Sequence, residues 1–245
     1  IYGLLGPNGS GKTTMMRCIC GLLSPEKGSI ECDCENIGYL PQQFGAMKSL
    51  TVYETMRYFA TLKKIPKSNQ DNEIRYCIDL VNLSDKIKNK VGSLSGGMVR
   101  RLGIAQAIMG NNEIVLFDEP TAGLDPEERV RFKSLLRKIK NDKTIIISTH
   151  IVSDVKSICD EIVIINEGRN VVQGTCSDIT SIGNEKVFLL DEEYENNLEG
   201  NYYVKDRISK DNKNYIIVLS SNFIEQGVSI NADIEDGYLC ALKDI

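Results

Sequence analysis

Nine residues near the start, GPNGSGKTT at positions 6–14, constrain this chain more than any other stretch. Three glycines and a proline would break most helices, and the lysine among them has no core to enter. The spacing G-x-x-x-x-G-K-[ST] is met by Gly6, Gly11, Lys12 and Thr13. Glycines let backbone N–H groups turn inward around an anion, and a helix beginning near Gly11 points its positive end at the same place. Lys12 is expected to reach the β- and γ-phosphates of a nucleotide, and the Thr13 hydroxyl to hold Mg²⁺. The bland alternative is a glycine-rich turn before a helix. Against it stand apolar Ile1, Leu4 and Leu5 in front and MMRCICGLL behind, the strand and helix that a phosphate loop requires.

Length and composition bound the rest. The 245 residues suit one sizeable domain with a small appendix, and 42% hydrophobic residues suffice for a buried core. A formal net charge of −5 gives no general attraction to nucleic acid. No apolar run approaches the ~18 residues that span a bilayer, and no secretory signal opens the chain. Service to a membrane is therefore expected to go through a partner. Eight cysteines are present, without a zinc-site spacing. Cys18 and Cys20 fall on different faces of a helix, Cys32 and Cys34 could share one strand face, and free thiols in a reducing compartment are expected.

Along the chain, IYGLL, the loop and the following helix form a βα unit, and IGYLPQ ends another strand. Apolar residues recur at helical spacing over 51–64 and 69–83, so 51–94 is read as a helical insert between two halves of an α/β core. A helix (about 96–110), the strand EIVLFDEP, a helix (about 126–140) and the strand TIIIST follow. After them come a short helix from Ser153 and a hairpin-like EIVIINEGRNVVQG. Alternating strands and helices imply a mainly parallel sheet covered on both faces. Beyond about Gly174 the strands KVFLL, YYV and YIIVL are short, and IEDGYLCAL reads as a final helix. Residues 181–245 are expected to form a small α+β appendix.

A phosphate loop alone could belong to several classes, and a second constellation narrows them. IVLFDEP is a hydrophobic strand ending in adjacent acids, Asp118 and Glu119. Burial resists charge, so packing does not account for them. Side chains alternate along a strand, which gives the two acids different tasks. Asp118 suits the Mg²⁺ shell, and Glu119 suits acceptance of a proton from attacking water. In LSGGM, Ser95 can cap a helix while Gly96 and Gly97 expose N–H groups at its positive end. That makes a second anion cradle, useful to two copies arranged head to tail. His150, the one histidine, ends TIIIST at the side of a parallel sheet where ligands bind. In PQQ, Gln42 or Gln43 can offer its amide to Mg²⁺ or water. Each alone has an ordinary structural explanation: a helix cap, a packed histidine, a loop glutamine.

Taken together and in order, GPNGSGKTT, YLPQQ, LSGGM, IVLFDEPTAGLDP and STH resemble the nucleotide-binding subunits of ABC transporters over about residues 1–174. The resemblance implies a P-loop NTPase core with ATP and Mg²⁺ as cofactors. It implies that Gly6, Pro7, Asn8, Gly9, Ser10, Gly11, Lys12, Thr13 and Thr14 form the Walker A loop. Gln42 is then the Q-loop residue, Leu94–Met98 the signature, Asp118 the Walker B acid, Glu119 the catalytic base, Asp125 the D-loop residue and His150 the switch histidine. Mg²⁺ would be held by Thr13, Gln42 and Asp118, and Ser95, Gly96, Gly97 and Asp125 would meet the nucleotide of a second subunit. LSGGM-x-RRLGIAQA and the tail ending IEDGYL resemble bacterial cassettes that export drugs, peptides or antibiotics.

On this basis the chain is expected to be an ATPase subunit that drives a separate permease. It would act as a homodimer in the cytoplasm, on the inner face of the membrane, without nucleic acid. The helix beginning TVYETMRYF is the expected permease groove. The competing class is a soluble ABC-type ATPase acting on nucleic acid, ribosomes or chromosome structure. Such proteins carry long heptad arms or two cassettes, whereas one compact insert is present here. A nucleotide kinase would leave LSGG, DEP and His150 without a use. Three departures from the family are visible. The adenine-stacking aromatic upstream of Walker A is not included, GSIECDCENIGYLPQ is short around Asp33 and Cys34, and Met98 stands where many members have Gln.

Overall fold

The structure, a computed structural model, describes residues 1–32 and 36–245. Asp33 and Cys34, with the readings made on them, lie outside the described residues. The chain divides into two compact units, one of residues 1–4 and 11–150 and the other of 5–10 and 151–245.

In the first unit the strands β1 (Tyr2–Leu5), β2 (Ile37–Leu40), β3 (Ile114–Asp118) and β4 (Thr144–Thr149) line up in the order β2-β3-β4-β1. β2 with β3 and β3 with β4 pair in parallel. Unbroken apolar runs such as IVLF and TIII are what a parallel strand needs, because both of its faces are covered. Phe117 meets Phe132 edge-on at 5.4 Å between ring centroids. The β3–β4 register sets Asp118 opposite Ser148, a pairing that matters below.

Among the described residues of this unit the α-helices are α1 (Lys12–Ile19), α2 (Val52–Leu62), α3 (Lys67–Leu80), α4 (Gly96–Ile108) and α5 (Pro126–Ile139). The start of α2 is a capping box in which Thr51 Oγ1 accepts from the Glu54 N–H at 3.1 Å, while Glu54 accepts from the Thr51 N–H at 2.8 Å. α3 stops at Leu80, short of the expected Leu83, because Asn82 adopts a left-handed conformation at φ 52°. α4 lies very close on β2. A side chain at Gly38 would collide with the Ala107 carbonyl oxygen, and one at Gly103 would come within 2.8 Å of Leu40 and Phe44.

The second unit contains α6 (Val152–Ile158), an antiparallel pair β5 (Glu161–Asn166) and β6 (Arg169–Gly174), and α7 (Cys176–Ser181). A four-stranded antiparallel sheet follows, of β7 (Val187–Asp191), β8 (Tyr202–Lys210), β9 (Lys213–Ser220) and β10 (Val228–Ser229) in the order β10-β7-β9-β8. The chain ends in α8 (Ile234–Lys243). The turns Glu167–Gly168 and Asp211–Asn212 have positive φ at both residues, the two-residue hairpin geometry that matches strand twist. One face of the second sheet packs Val187 and Leu219 with Cys240 and Ile245, and the other packs Phe188, Leu190, Ile216 and Val218 with Ile224. Among the described residues all seven cysteines are free thiols, and no helix is long and apolar enough to cross a membrane.

Candidate functional site

The loop between β1 and α1 has the backbone that its glycines predict. Gly9 and Gly11 have φ of 82° and 105°, which residues with a Cβ rarely adopt. A side chain at Gly6 would strike the Ile165 carbonyl oxygen. Ser10 is buried, and its hydroxyl has no hydrogen-bond partner among the described residues. A buried hydroxyl without a partner is costly in an empty protein and natural in a loop built to receive an oxyanion. Lys12 opens α1 and is buried. Burial lowers the pKa of its ammonium, and the charges of Glu119 and Asp118 partly oppose that shift.

The two acids at the end of β3 are both buried, and they look in different directions. Asp118 Oδ1 accepts from Thr13 Oγ1 at 3.1 Å and from Ser148 Oγ at 2.5 Å, and Tyr39 donates to its other oxygen at 3.5 Å. These three partners of the Asp118 carboxylate are neutral hydroxyls. Burial, and then the neighbouring Asp118 charge, push the Tyr39 phenol pKa up. Glu119 instead faces charge and imidazole. Its carboxylate lies 3.9 Å from Lys12 Nζ and takes His150 Nδ1 at 2.9 and 3.0 Å. A carboxylate only accepts, so that contact places a proton on Nδ1. His150 keeps 43% of its side chain exposed, so the imidazole remains reachable from solvent.

The backbone at Glu119 is unusual. Its φ is +49°, a left-handed conformation that costs a non-glycine residue on the order of 1–3 kcal/mol. The Glu119 N–H donates to Ser148 O at 3.1 Å and to Ser148 Oγ at 3.0 Å. Ser148 thus serves both acids, binding the carboxylate of one and the amide of the other. The sequence reading missed it. Its one signal was the register, because Ser148 occupies on β4 the level that Asp118 occupies on β3.

The remaining expected residues fall in separate places. Gln42 is exposed just past the end of β2, and its carbonyl accepts from Arg100 at 2.8 Å. Ser95 caps α4, with its hydroxyl accepting from the Met98 N–H at 3.3 Å. A side chain at Gly96 would meet nothing, whereas one at Gly97 would run into Glu128. Asp125 caps α5 and accepts from the Glu128 N–H at 2.8 Å. The structure therefore gathers Lys12, Thr13, Asp118, Glu119 and His150 at the strand ends, and it leaves Ser95 and Asp125 as helix caps.

The donor set fits Mg²⁺. A hydroxyl and a carboxylate oxygen, Thr13 Oγ1 and Asp118 Oδ1, already converge to 3.1 Å, and hard oxygen ligands are what this ion takes.

Comparison with known proteins shows the family. The ABC transporter family pattern matches residues 1–122. The uncharacterized ABC transporter ATP-binding protein YxlF of Bacillus subtilis (strain 168) is 32% identical over 238 residues, covering 94% of this chain and 80% of that protein. The Nod factor export ATP-binding protein I of Burkholderia lata is 35% identical over 188 residues, 71% of this chain and 61% of its own length. Among solved structures, an ATP-binding subunit of an ABC transporter superposes with a TM-score of 0.67 at 26% identity, over 74% of this chain and 80% of its own. A dimeric ATP-binding cassette in a post-hydrolysis state with ADP and Pi gives 0.65 at 25% identity, over 71% and 84%. With a phosphate loop at one strand end and two differently partnered acids at another, the chain belongs to the ATP-hydrolysing, ATP-binding domains of the ABC transporter family.

Proposed function

We propose that this chain binds and hydrolyses ATP to drive a separate membrane permease in export, through head-to-tail pairing of two copies. It would sit in the cytoplasm against the inner face of the membrane. The catalytic core is taken as residues 1–174 and the appendix as 181–245. The observation that carries the reading is the division between Asp118 and Glu119. Neighbours on one strand end, they reach different partners, hydroxyls for the first and Lys12 with His150 for the second.

In this mechanism the backbone N–H groups of the loop, those of residues 8–14, wrap the phosphates, and Lys12 sets its charge against their terminal oxygens. Thr13, Asp118 and Gln42 would hold Mg²⁺, which when bound offsets charge on the β- and γ-phosphates. Glu119 accepts a proton from the water whose oxygen attacks the γ-phosphorus, while the bond to the bridging oxygen breaks and ADP leaves. His150 orients the Glu119 carboxylate through Nδ1 and can reach the γ-phosphate. Ser95, Gly96 and Gly97, with Asp125, would close over the nucleotide of the second copy, using the N–H groups at the positive end of α4. Support for pairing comes from the dimeric cassette among the structural neighbours, and support for export from the Nod factor export relatives.

A sizing column tests the shared site. Glu119→Gln keeps the side chain's shape and removes the proton acceptor, so the variant should run as a dimer with ATP and as a monomer with ADP. Adding Ser95→Arg should abolish that dimer, because its bulk blocks the second cradle and leaves the phosphate loop untouched. A variant that binds ATP, fails to turn it over and stays monomeric throughout would remove the shared-site reading.

A further inference from the structure

Arg100 lies on α4, five residues after the cap Ser95. It is buried, with 9% of its surface exposed. A guanidinium carries five N–H donors in a rigid plane. Here each of the three nitrogens is matched to main-chain carbonyls, giving five bonds. Nε donates to Pro120 O at 3.3 Å, Nη1 to Pro41 O and Gln42 O at 2.8 Å each, and Nη2 to Asp118 O and Glu119 O at 2.7 Å each.

All five acceptors come from two short segments. One is the residues just past β2, which carry Gln42. The other is the end of β3, which carries Asp118 and Glu119. Adjacent Arg101 uses its side chain otherwise, donating to Val81 O and Asn82 O beyond α3 and facing Glu128 at 3.2 Å. The close seat of α4 on Gly38 brings Arg100 down to the strand ends.

The strained peptide gives this contact its meaning. Left-handed backbone at a glutamate persists only where the surroundings over-determine it. Ser148 holds the N–H side of Glu119 and Arg100 holds the carbonyls on both sides of its Cα. Between them the peptide planes flanking the residue are fixed, and with them the direction in which its carboxylate leaves the strand.

We infer that Arg100 is a positioning residue for ATP hydrolysis: its five carbonyl bonds lock the backbone of 41–42 and 118–120 so that Glu119 and Gln42 point at the nucleotide. The inference rests on the proposed role of Glu119 as the base. Lysine cannot replace it, because three donors on one nitrogen cannot make the five bonds that the planar guanidinium makes.

The test compares Arg100→Lys and Arg100→Gln with the parent chain, measuring ATP affinity, KM, kcat and melting temperature, with rates expressed per folded molecule. A misplacement of about 1 Å lowers rates by roughly 10²-fold, so kcat should fall about 10- to 100-fold while ATP affinity stays within about threefold. On a Glu119→Gln background, Arg100→Lys should lower the residual single-turnover rate far less than it does alone, since it acts through the group already removed. Unchanged kcat per folded molecule with a lowered melting temperature would overturn the inference. So would a loss carried wholly by ATP affinity, or failure of both variants to fold, which would make Arg100 a folding residue. Glu119→Gln alone separates the two layers. If it turns over normally, the base assignment falls. If it is inactive while both Arg100 variants turn over normally, only the inference about Arg100 falls.

Discussion

Charge is handled in opposite ways at the end of β3 and in the sheet of the second unit. In the second unit two cations, Arg207 and Lys205, meet acids directly. Arg207 bonds Glu192 at 2.6 Å and Glu195 at 2.7 Å, and Lys205 bonds Asp236 at 2.6 Å and Asp233 at 3.3 Å. Burial works to lower the Lys205 pKa, but Asp236 and Asp233 outweigh it and leave it raised. Asp233 and Asp236 also form the capping box of α8, so the pair ties β8 to the start of a helix. At β3 the Asp118 carboxylate is held by the hydroxyls of Thr13, Ser148 and Tyr39, and the Glu119 carboxylate meets Lys12 Nζ at 3.9 Å and His150 Nδ1 at 2.9 Å. Charges matched in full belong to a finished structure. Acids buried beside a buried lysine mark a candidate functional site.

Substitutions should therefore separate activity from stability in opposite senses in the two regions. Glu119→Gln carries the largest effect. Loss of the proton acceptor should lower ATP turnover by roughly 10²–10⁴-fold, with the melting temperature held or raised because a buried charge has been removed while the side chain keeps its shape. A fall in stability with turnover kept would erase the contrast. His150→Ala comes next. Losing an oriented donor beside the reacting group should lower turnover by about 10²-fold, with nucleotide binding kept, as titration with a fluorescent ATP analogue would read.

Lys205→Met reverses the pattern. Turnover per folded molecule should hold, and unfolding free energy should fall by about 1–3 kcal/mol because Asp236 is left buried without its charged partner. The pH dependence has a definite sign. The folded-state pKa of Lys205 lies above its unfolded value, so the stabilisation is complete below the ordinary lysine pKa and is lost as pH rises through the raised one. Denaturant titrations of both chains at neutral and strongly alkaline pH should converge at the alkaline end. The smallest effect belongs to Arg207→Met. Its ion pairs are half exposed, solvent screens them, and melting temperature should barely move at any salt concentration. A large loss there would show that exposed pairs hold the second sheet together.

Much of the site was legible because its chemistry is local. The turn of the phosphate loop depends on glycines at fixed spacing, and the acids of IVLFDEP end a strand that the run of apolar residues announces. The helix cap Ser95 was read in the same way, whereas Thr51 and Asp125 were not read as caps. β8 was read too short: YYV marks only its start, since KDRISK continues as a strand with its polar side exposed. α7 was missed, although Thr175 and Asp178 make a capping box, because six residues carry too little periodicity.

The sequence by itself determined which elements form, where the phosphate loop turns, and that two carboxylates end one buried strand. Backbone propensity, hydrophobic period and glycine spacing act over a few residues and need no knowledge of neighbours. Tertiary structure alone decided what Ser148 and Arg100 do. Nothing near SerThrHis or ArgArg in the chain separates a site residue from a packing one. Ser148 reaches Asp118 across 30 positions because β3 and β4 pair in one register, and Arg100 reaches Gln42 across 58 because α4 seats on β2. Such contacts depend on how strands pair and helices dock, and that is settled by burial over the whole core.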